Sequence, residues 1–260
     1  GVMDRGAAQE EVEALEGAEG LARLRSVMQG EKPRNAVGDL AGSFAPLQTN
    51  QAERILIEAL PDCFKSLDRL HADDREDIRD VLGKIVKGQE LDVARFGDVS
   101  QPRTLATDLE LHEYTYLVAG CVGEFWTRLC FRHVRNFADW PESEMRELGR
   151  HYGNGLQLIN ILRDAHSDLH AGRCYFPMQE LEEIGLDPAH ILAEPDRFEF
   201  ILEKWREEAQ RGLTAGLNYI CAIRTLRIRV STALPAPIAA RTLSLLRAPR
   251  PAALLRNSKI

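Results

Sequence analysis

Apolar residues recur at intervals of three and four along almost the whole of this chain, and no stretch alternates with the period of two that a half-buried strand needs. That periodicity confines the chain to an all-α architecture, because an amphipathic helix must bury its apolar stripe against another element. Helical runs are expected over 7–28, from Asn50 to His71, from Ala72 to about Gly88, and over 105–135, 141–170, 197–221 and 222–247. Asp73 and Asp74 open the third run, where the helix dipole favours acids. The stretch GEKPRNAVGDLAGSFAPLQ (30–48) holds Pro, Gly, Asn and Ser and reads as a connection; FGDVSQPRT reads as a loop, and RNFADWPESE as a turn between two long helices. Pro177 and the Gly185–Pro188 stretch punctuate a shorter piece. No internal repeat interrupts the pattern, so residues 1–260 read as one domain.

The formal net charge of −7 argues against a nucleic-acid partner, which a basic face would announce. No apolar run approaches the roughly 20 residues a membrane span needs. The opening GVMDRGAAQEEVEALEG is acidic and polar, unlike a secretory leader, so a cytoplasmic protein is expected. The five cysteines, Cys63, Cys121, Cys130, Cys174 and Cys221, have no CxxC spacing and sit among apolar neighbours. They read as buried free thiols and not as metal ligands.

Within residues 157–177, QLINILRDAHSDLHAGRCYFP, three oxygen-bearing side chains stand at four-residue spacing: Asn160, Asp164 and Asp168. On a helix such steps drift by only about 40° and rise about 6 Å, so the three form one ridge about 12 Å long. Gln157 lies one turn earlier near the same edge, while Leu158, Ile159 and Leu162 face the other way. Hard oxygen donors in a row suit Mg²⁺, particularly a Mg²⁺ that also holds a diphosphate. Arg163 adjoins Asp164 and Arg173 follows Asp168, and guanidinium groups there suit an anionic phosphate ester. By spacing alone the same pattern also describes a solvated acidic helix face.

A second stretch, EYTYLVAGCVGEFWTR (113–128), repeats Tyr114, Val118, Val122 and Trp126 every four residues. The stripe is apolar except for one phenol and, on its own, describes core as well as a substrate channel. Gly120 and Gly123 lie on the neighbouring face, where absent side chains let another helix come close.

Taken together, YxYxVAGxVG followed about 40 residues later by QLxNILRDxxxDxxxGRxYxP resembles the squalene/phytoene synthase family. GKIVKGQELDVARF (83–96) is similar to that family's G-x-E-x-D segment, and GLNYICAI with RIRVSTALPAPIAARTLSLL to its C-terminal helices, so the resemblance covers roughly 50–247. It implies the isoprenoid synthase (class I terpenoid synthase) fold, a helical bundle around a central cavity whose mouth binds diphosphate through Mg²⁺. It implies head-to-head condensation of two prenyl diphosphates, here farnesyl diphosphate, to squalene or a precursor such as presqualene diphosphate or hydroxysqualene. Carried over by residue, Asn160, Asp164 and Asp168 resemble the second magnesium motif, with Gln157, Arg163 and Arg173 contacting diphosphate. Tyr114 resembles the tyrosine beside the reacting carbons. Val118, Val122 and Trp126 would line the hydrocarbon channel, with the two motif helices on opposite walls.

The family's first Asp-rich motif has no counterpart in residues 1–50, where Asp4 and Asp39 are isolated. HADDREDIRD offers Asp73, Asp74 and Asp77, but its place before GQELD matches an ordinary surface helix start of the family. Missing N-terminal helices are the reading adopted. ARTLSLL (240–246) stands where carotenoid-making members tend to have a tyrosine, which leans towards squalene. The alternatives are a phytoene-type or other isoprenoid synthase, or a non-catalytic scaffold or assembly factor of the family. NADPH, which reductive members use, leaves no readable mark, because those members lack a Gly-rich dinucleotide fingerprint as this chain does. Peripheral membrane contact is expected only because the product is a hydrocarbon. No motif encodes an oligomeric state.

Overall fold

A computed structural model describes residues 19–29, 31, 36–97 and 103–247. Contacts group the chain into two compact units, Gly1–Gly97 and Asp98–Ile260. The first run of the sequence reading is described only from 19, where helix α1 (19–28) begins.

In the first unit, α2 (Ala36–Phe44) is a helix where Gly, Pro and Ser suggested a connection. Val37, Leu40 and Ala41 outweigh those breakers: spaced by three and one, they make one buried face. The run expected from Asn50 to His71 is two helices, α3 (Gln51–Glu58) and α4 (Leu60–Asp68). Pro61 stands at the start of α4, where its missing N–H costs nothing. Helix α5 (Ala72–Phe96) is capped by His71 and continues past Gly88 for two more turns. Val27, Met28, Val37, Phe64 and Val86 form the unit's core. An apolar cavity of about 680 Å³ opens beside it, lined in part by Leu24, Leu67, Leu82 and Ile85.

The second unit is built on two long helices. Strand β1 (Arg103–Leu105) leads into α6 (Asp108–Thr115), a π-helical turn (Tyr116–Gly120) and α7 (Cys121–His133). A capping arrangement starts α6: Thr107 accepts from the Glu110 N–H at 3.4 Å, and the Glu110 carboxylate accepts from the Ala106 N–H at 2.9 Å. Helix α8 (Glu142–His170) follows, with Glu142 and Glu144 in its first turn. It stops at Gly172, whose φ of +74° needs glycine. Strand β2 (Arg173–Pro177) then pairs in parallel with β1, Arg103 opposite Arg173 and Thr104 opposite Cys174. This small sheet is absent from the sequence reading, because three- and five-residue strands are too short to show a period. Helices α9 (Met178–Glu183), α10 (Pro195–Ala222), α11 (Leu226–Ala233) and α12 (Pro235–Leu246) complete the unit.

Glycines set how closely the central helices approach. A side chain at Gly123 would meet the Gly149 carbonyl at 2.0 Å, and one at Gly153 the Ala119 carbonyl at 2.4 Å, so α7 and α8 run antiparallel in backbone contact. Gly155 and Gly212 do the same for α8 and α10. Around this axis Phe198, Ile201, Leu202, Trp205, Ala209 and Leu213 bury one face of α10 at helical spacing. Each large aliphatic or aromatic side chain so buried contributes about 1.5–3 kcal/mol.

Two further sequence expectations need correction. Cys63 and Cys221 are exposed, and only Cys121, Cys130 and Cys174 are buried; apolar neighbours in sequence do not put a residue on a helix's inner face. Asp77, read as part of a surface helix start, is 8% exposed.

Candidate functional site

The ridge lies on the C-terminal half of α8, which presents Asn160, Asp164 and Asp168 at successive turns. Asn160 donates its amide to Gln157 Oε1 at 3.3 Å, which leaves its own Oδ1 as an acceptor. Arg163 grips Asp164 with two bonds, Nε to Oδ1 at 2.8 Å and Nη2 to Oδ2 at 2.6 Å. The hydrogen bond to Asp164 holds the Arg163 guanidinium above its ordinary pKa. Both side chains are 44% exposed, so the pair is a surface contact worth little to stability and open to exchange with a ligand. Asp168 sits close enough to Cys174 for its charge to be felt. The Cys174 thiol is pushed up to about 12, chiefly by burial, with the Asp168 charge adding to the rise. Arg173 begins β2 and is exposed. Among the described residues no group of three or more His, Cys, Asp or Glu side chains clusters as a metal cage; the ridge offers one amide and two carboxylates instead.

Beside the ridge is a recess of about 380 Å³, lined by Asn160 and Arg163 together with Leu156, Ile159, Pro235 and Ile238. Leu156 and Pro235 also line a second, apolar cavity of about 400 Å³. Its walls include Val118, Val122 and Trp126 from the α6–α7 segment, Tyr152 and Leu156 from α8, and Tyr219 from α10. The recess and the apolar cavity therefore adjoin. Because α7 runs antiparallel to α8, Trp126 lies towards the N-terminal half of α8. From Gly149, which lines that part of the cavity, to Asn160 the helix rises about 16 Å.

The two motif helices are neighbours and not opposite walls. The glycines that permit close approach bring them into direct contact, and the cavity opens along one side of their seam. Tyr114 is not among the residues lining this cavity. It is 7% exposed, and its ring stacks on Tyr175 with centroids 5.1 Å apart. The π-helical turn between Tyr114 and Cys121 interrupts the α-helical phase that the four-residue spacing assumed.

Tyr152 and Leu156 were not singled out from the sequence, yet they continue the ridge's own register upstream: 152, 156, 160, 164, 168. The Tyr152 ring packs over Gly216 and its hydroxyl donates to the Thr232 carbonyl at 3.4 Å. Burial pushes its pKa up to about 12, which keeps it a neutral wall. Tyr219 shares a 2.8 Å hydrogen bond with Thr127, which satisfies both hydroxyls beneath the cavity.

A model of one family, described as squalene/phytoene synthase, matches residues 4–259. The bifunctional lycopene cyclase/phytoene synthases of Colletotrichum graminicola and Phaeosphaeria nodorum are each 35% identical over 119 residues, covering 45% of this chain and 20% of theirs. The chain thus spans about a fifth of the length of the curated relatives it matches. Among solved structures, squalene synthase HpnC from Alicyclobacillus acidocaldarius aligns with a TM-score of 0.56 at 18% identity, over 82% of this chain and 73% of that one. A TcSQS complex with the ligand BPH1237 aligns with a TM-score of 0.67 at 19% identity, over 96% and 74%. At such identities the likeness establishes the isoprenoid synthase fold.

Proposed function

The chain belongs to the squalene/phytoene synthase family, and from that premise we propose that it serves the head-to-head joining of two prenyl diphosphates. The substrate is farnesyl diphosphate, the products diphosphate and squalene or a precursor such as presqualene diphosphate or hydroxysqualene. Residues 1–260 act in this reading as a single all-α isoprenoid synthase domain. One observation carries it: Asn160, the first residue of the ridge, and Arg163 line a recess that adjoins an apolar cavity, and Asp164 and Asp168 continue the Asn160 register along the same helix.

The donors fit a small hard cation. They are side-chain oxygens at successive turns, with Asn160 Oδ1 left to accept and the Asp164 carboxylate already drawing a positive group, the Arg163 guanidinium. Asn160, Asp164 and Asp168 would hold Mg²⁺, which when bound supplies charge to stabilise a departing diphosphate. Arg163 exchanges its carboxylate partner for a phosphate oxygen, and Arg173 and Gln157 add donors to the same anion. Val118, Val122, Leu156 and Trp126 keep water from the reacting carbons, where a cation forms as the diphosphate leaves. Tyr114 enters the reading as a positioning residue, fixing through Tyr175 the strand that Arg173 heads.

A phytoene-type reaction is the second reading, favoured by the 35% identity to bifunctional lycopene cyclase/phytoene synthases. Incubation with labelled farnesyl or geranylgeranyl diphosphate and Mg²⁺, with and without NADPH, followed by identification of the extracted products, decides between them. Squalene or its precursors from farnesyl diphosphate is the expected result. Phytoene from geranylgeranyl diphosphate would establish the second reading. Metal-dependent diphosphate binding with no product would make the chain a non-catalytic member.

A further inference from the structure

The proposed reaction draws on residues of the second unit alone and leaves the first unit's cavity without a role. That cavity, about 680 Å³, is the size of a small-molecule site and larger than the recess or the cavity of the second unit. Helices α1, α4 and α5 wall it, with Met28, Phe64, Leu67 and Val86 among the apolar residues. Leu70 and Leu82 also line it, yet they are 42 and 38% exposed, so the apolar wall is open to a ligand.

Two charged side chains reach this wall, and only one of them is matched. Asp62 accepts from Lys65 Nζ at 2.7 Å. Arg79 is half-buried near the start of α5, and no ion pair or hydrogen bond holds its guanidinium among the described residues. Val86 lies seven residues further along the same helix, a rise of about 10 Å. The cavity therefore carries one unmatched positive charge towards one end of an apolar trough. A charge so placed gains most from an anion that brings apolar surface of its own.

We propose that this cavity binds a long-chain carboxylate, with its hydrocarbon along Leu67, Leu82 and Val86 and its head on Arg79. Charge complementarity selects a single negative charge. A diphosphate brings more charge than one guanidinium balances, and it calls for a metal that Asp62, the carboxylate in this wall, is too few to hold. An uncharged hydrocarbon would fill the trough and leave Arg79 unanswered.

The proposal stands apart from the assigned reaction, because carboxylate binding is read without substrate or metal. Cys63 lines the cavity and is exposed, while Cys221, also exposed, belongs to the second unit, so the two thiols report where a ligand sits. The full chain is alkylated with iodoacetamide, alone and with octanoate, decanoate or laurate below their micelle concentrations, and each cysteine is followed by peptide mass. At about ten times its dissociation constant, laurate should slow Cys63 about tenfold and leave Cys221 unchanged. Each added methylene should tighten binding about fourfold until the cavity is full. Arg79→Gln should weaken decanoate about tenfold at an unchanged melting temperature, and leave decanol, the same chain without charge, unaffected. Equal slowing at both cysteines, affinity indifferent to chain length, or decanoate binding untouched by Arg79→Gln would overturn the proposal. Protection of Cys63 by farnesyl diphosphate with Mg²⁺ would overturn the single-charge assignment. So would a Cys63 that resists alkylation before any ligand is added, because protein would then fill the cavity.

Discussion

Tyr114 and Tyr175 stack with ring planes 29° apart, which ties the helix before the π turn to the strand after the acidic ridge. Such a pair contributes about 0.5–1.5 kcal/mol beyond its burial. A double-mutant cycle on Tyr114→Ala and Tyr175→Ala, read by urea unfolding, should return a coupling of that size. If Tyr114 positions and does not touch the reacting carbons, Tyr114→Phe keeps near-normal turnover. Tyr114→Ala should then raise KM through Arg173. Loss of turnover in the phenylalanine variant would assign the hydroxyl a direct part.

Glycine substitutions should divide by geometry. Gly123→Ala drives a methyl group to 2.0 Å from the Gly149 carbonyl, so the α7–α8 seam must open. The expected cost is about 3 kcal/mol or more, or failure to fold. Gly83, inside α5, has open space where a side chain would stand. Gly83→Ala should stabilise by about 0.4–1 kcal/mol through the unfolded chain. Thermal denaturation of the two variants side by side checks both signs.

Much of this was legible in the sequence because helix period and ligand spacing are local. Asn160, Asp164 and Asp168 needed only α8 to be a helix, and Gly120 and Gly123 announced the close seam. What was missed depends on partners distant in the chain. The pairing of Arg103 with Arg173 is set by how α8 returns the chain, and neither strand is long enough to show alternation. Tyr114 left the stripe because a π turn, which no residue pattern here signals, intervenes before Val122. Exposure of Cys63 and Cys221 depends on which helix face each occupies, and flanking hydrophobicity does not report that. Gly88 breaks the helical pattern in the sequence, yet α5 keeps it buried and runs on to Phe96.

Arg163→Lys keeps the positive charge beside Asp164 but loses the two-pronged grip. Since the pair is half exposed, unfolding midpoints should barely change. Affinity for inorganic diphosphate with Mg²⁺, measured calorimetrically, should fall about tenfold. A stability loss with unchanged affinity would make the arginine a structural group only.

The buried acids of the second unit give a pH signature. Burial raises Cys130 to about 11 and Tyr152 to about 12, above ordinary values of 9.0 and 10.0. In both cases the folded state holds the proton more tightly than the unfolded chain. Their stability contribution is complete below about pH 9 and is lost as pH climbs from about 9 to about 12. Urea midpoints should therefore decline over that window. Native thiol titration should modify Cys63 and Cys221 while sparing Cys121, Cys130 and Cys174.

The central claim is that the ridge on α8 holds a prenyl diphosphate through a divalent metal. Calorimetric titration with an unreactive farnesyl diphosphate analogue, with Mg²⁺ and with chelator, tests it most directly in the wild-type chain and in Asp164→Asn combined with Asp168→Asn. Binding should require the metal and weaken about tenfold or more, roughly 1.4 kcal/mol, in the double variant, with its helical melting curve intact. Equal affinity in the double variant, or full affinity under chelation, would contradict the assignment of Asn160, Asp164 and Asp168.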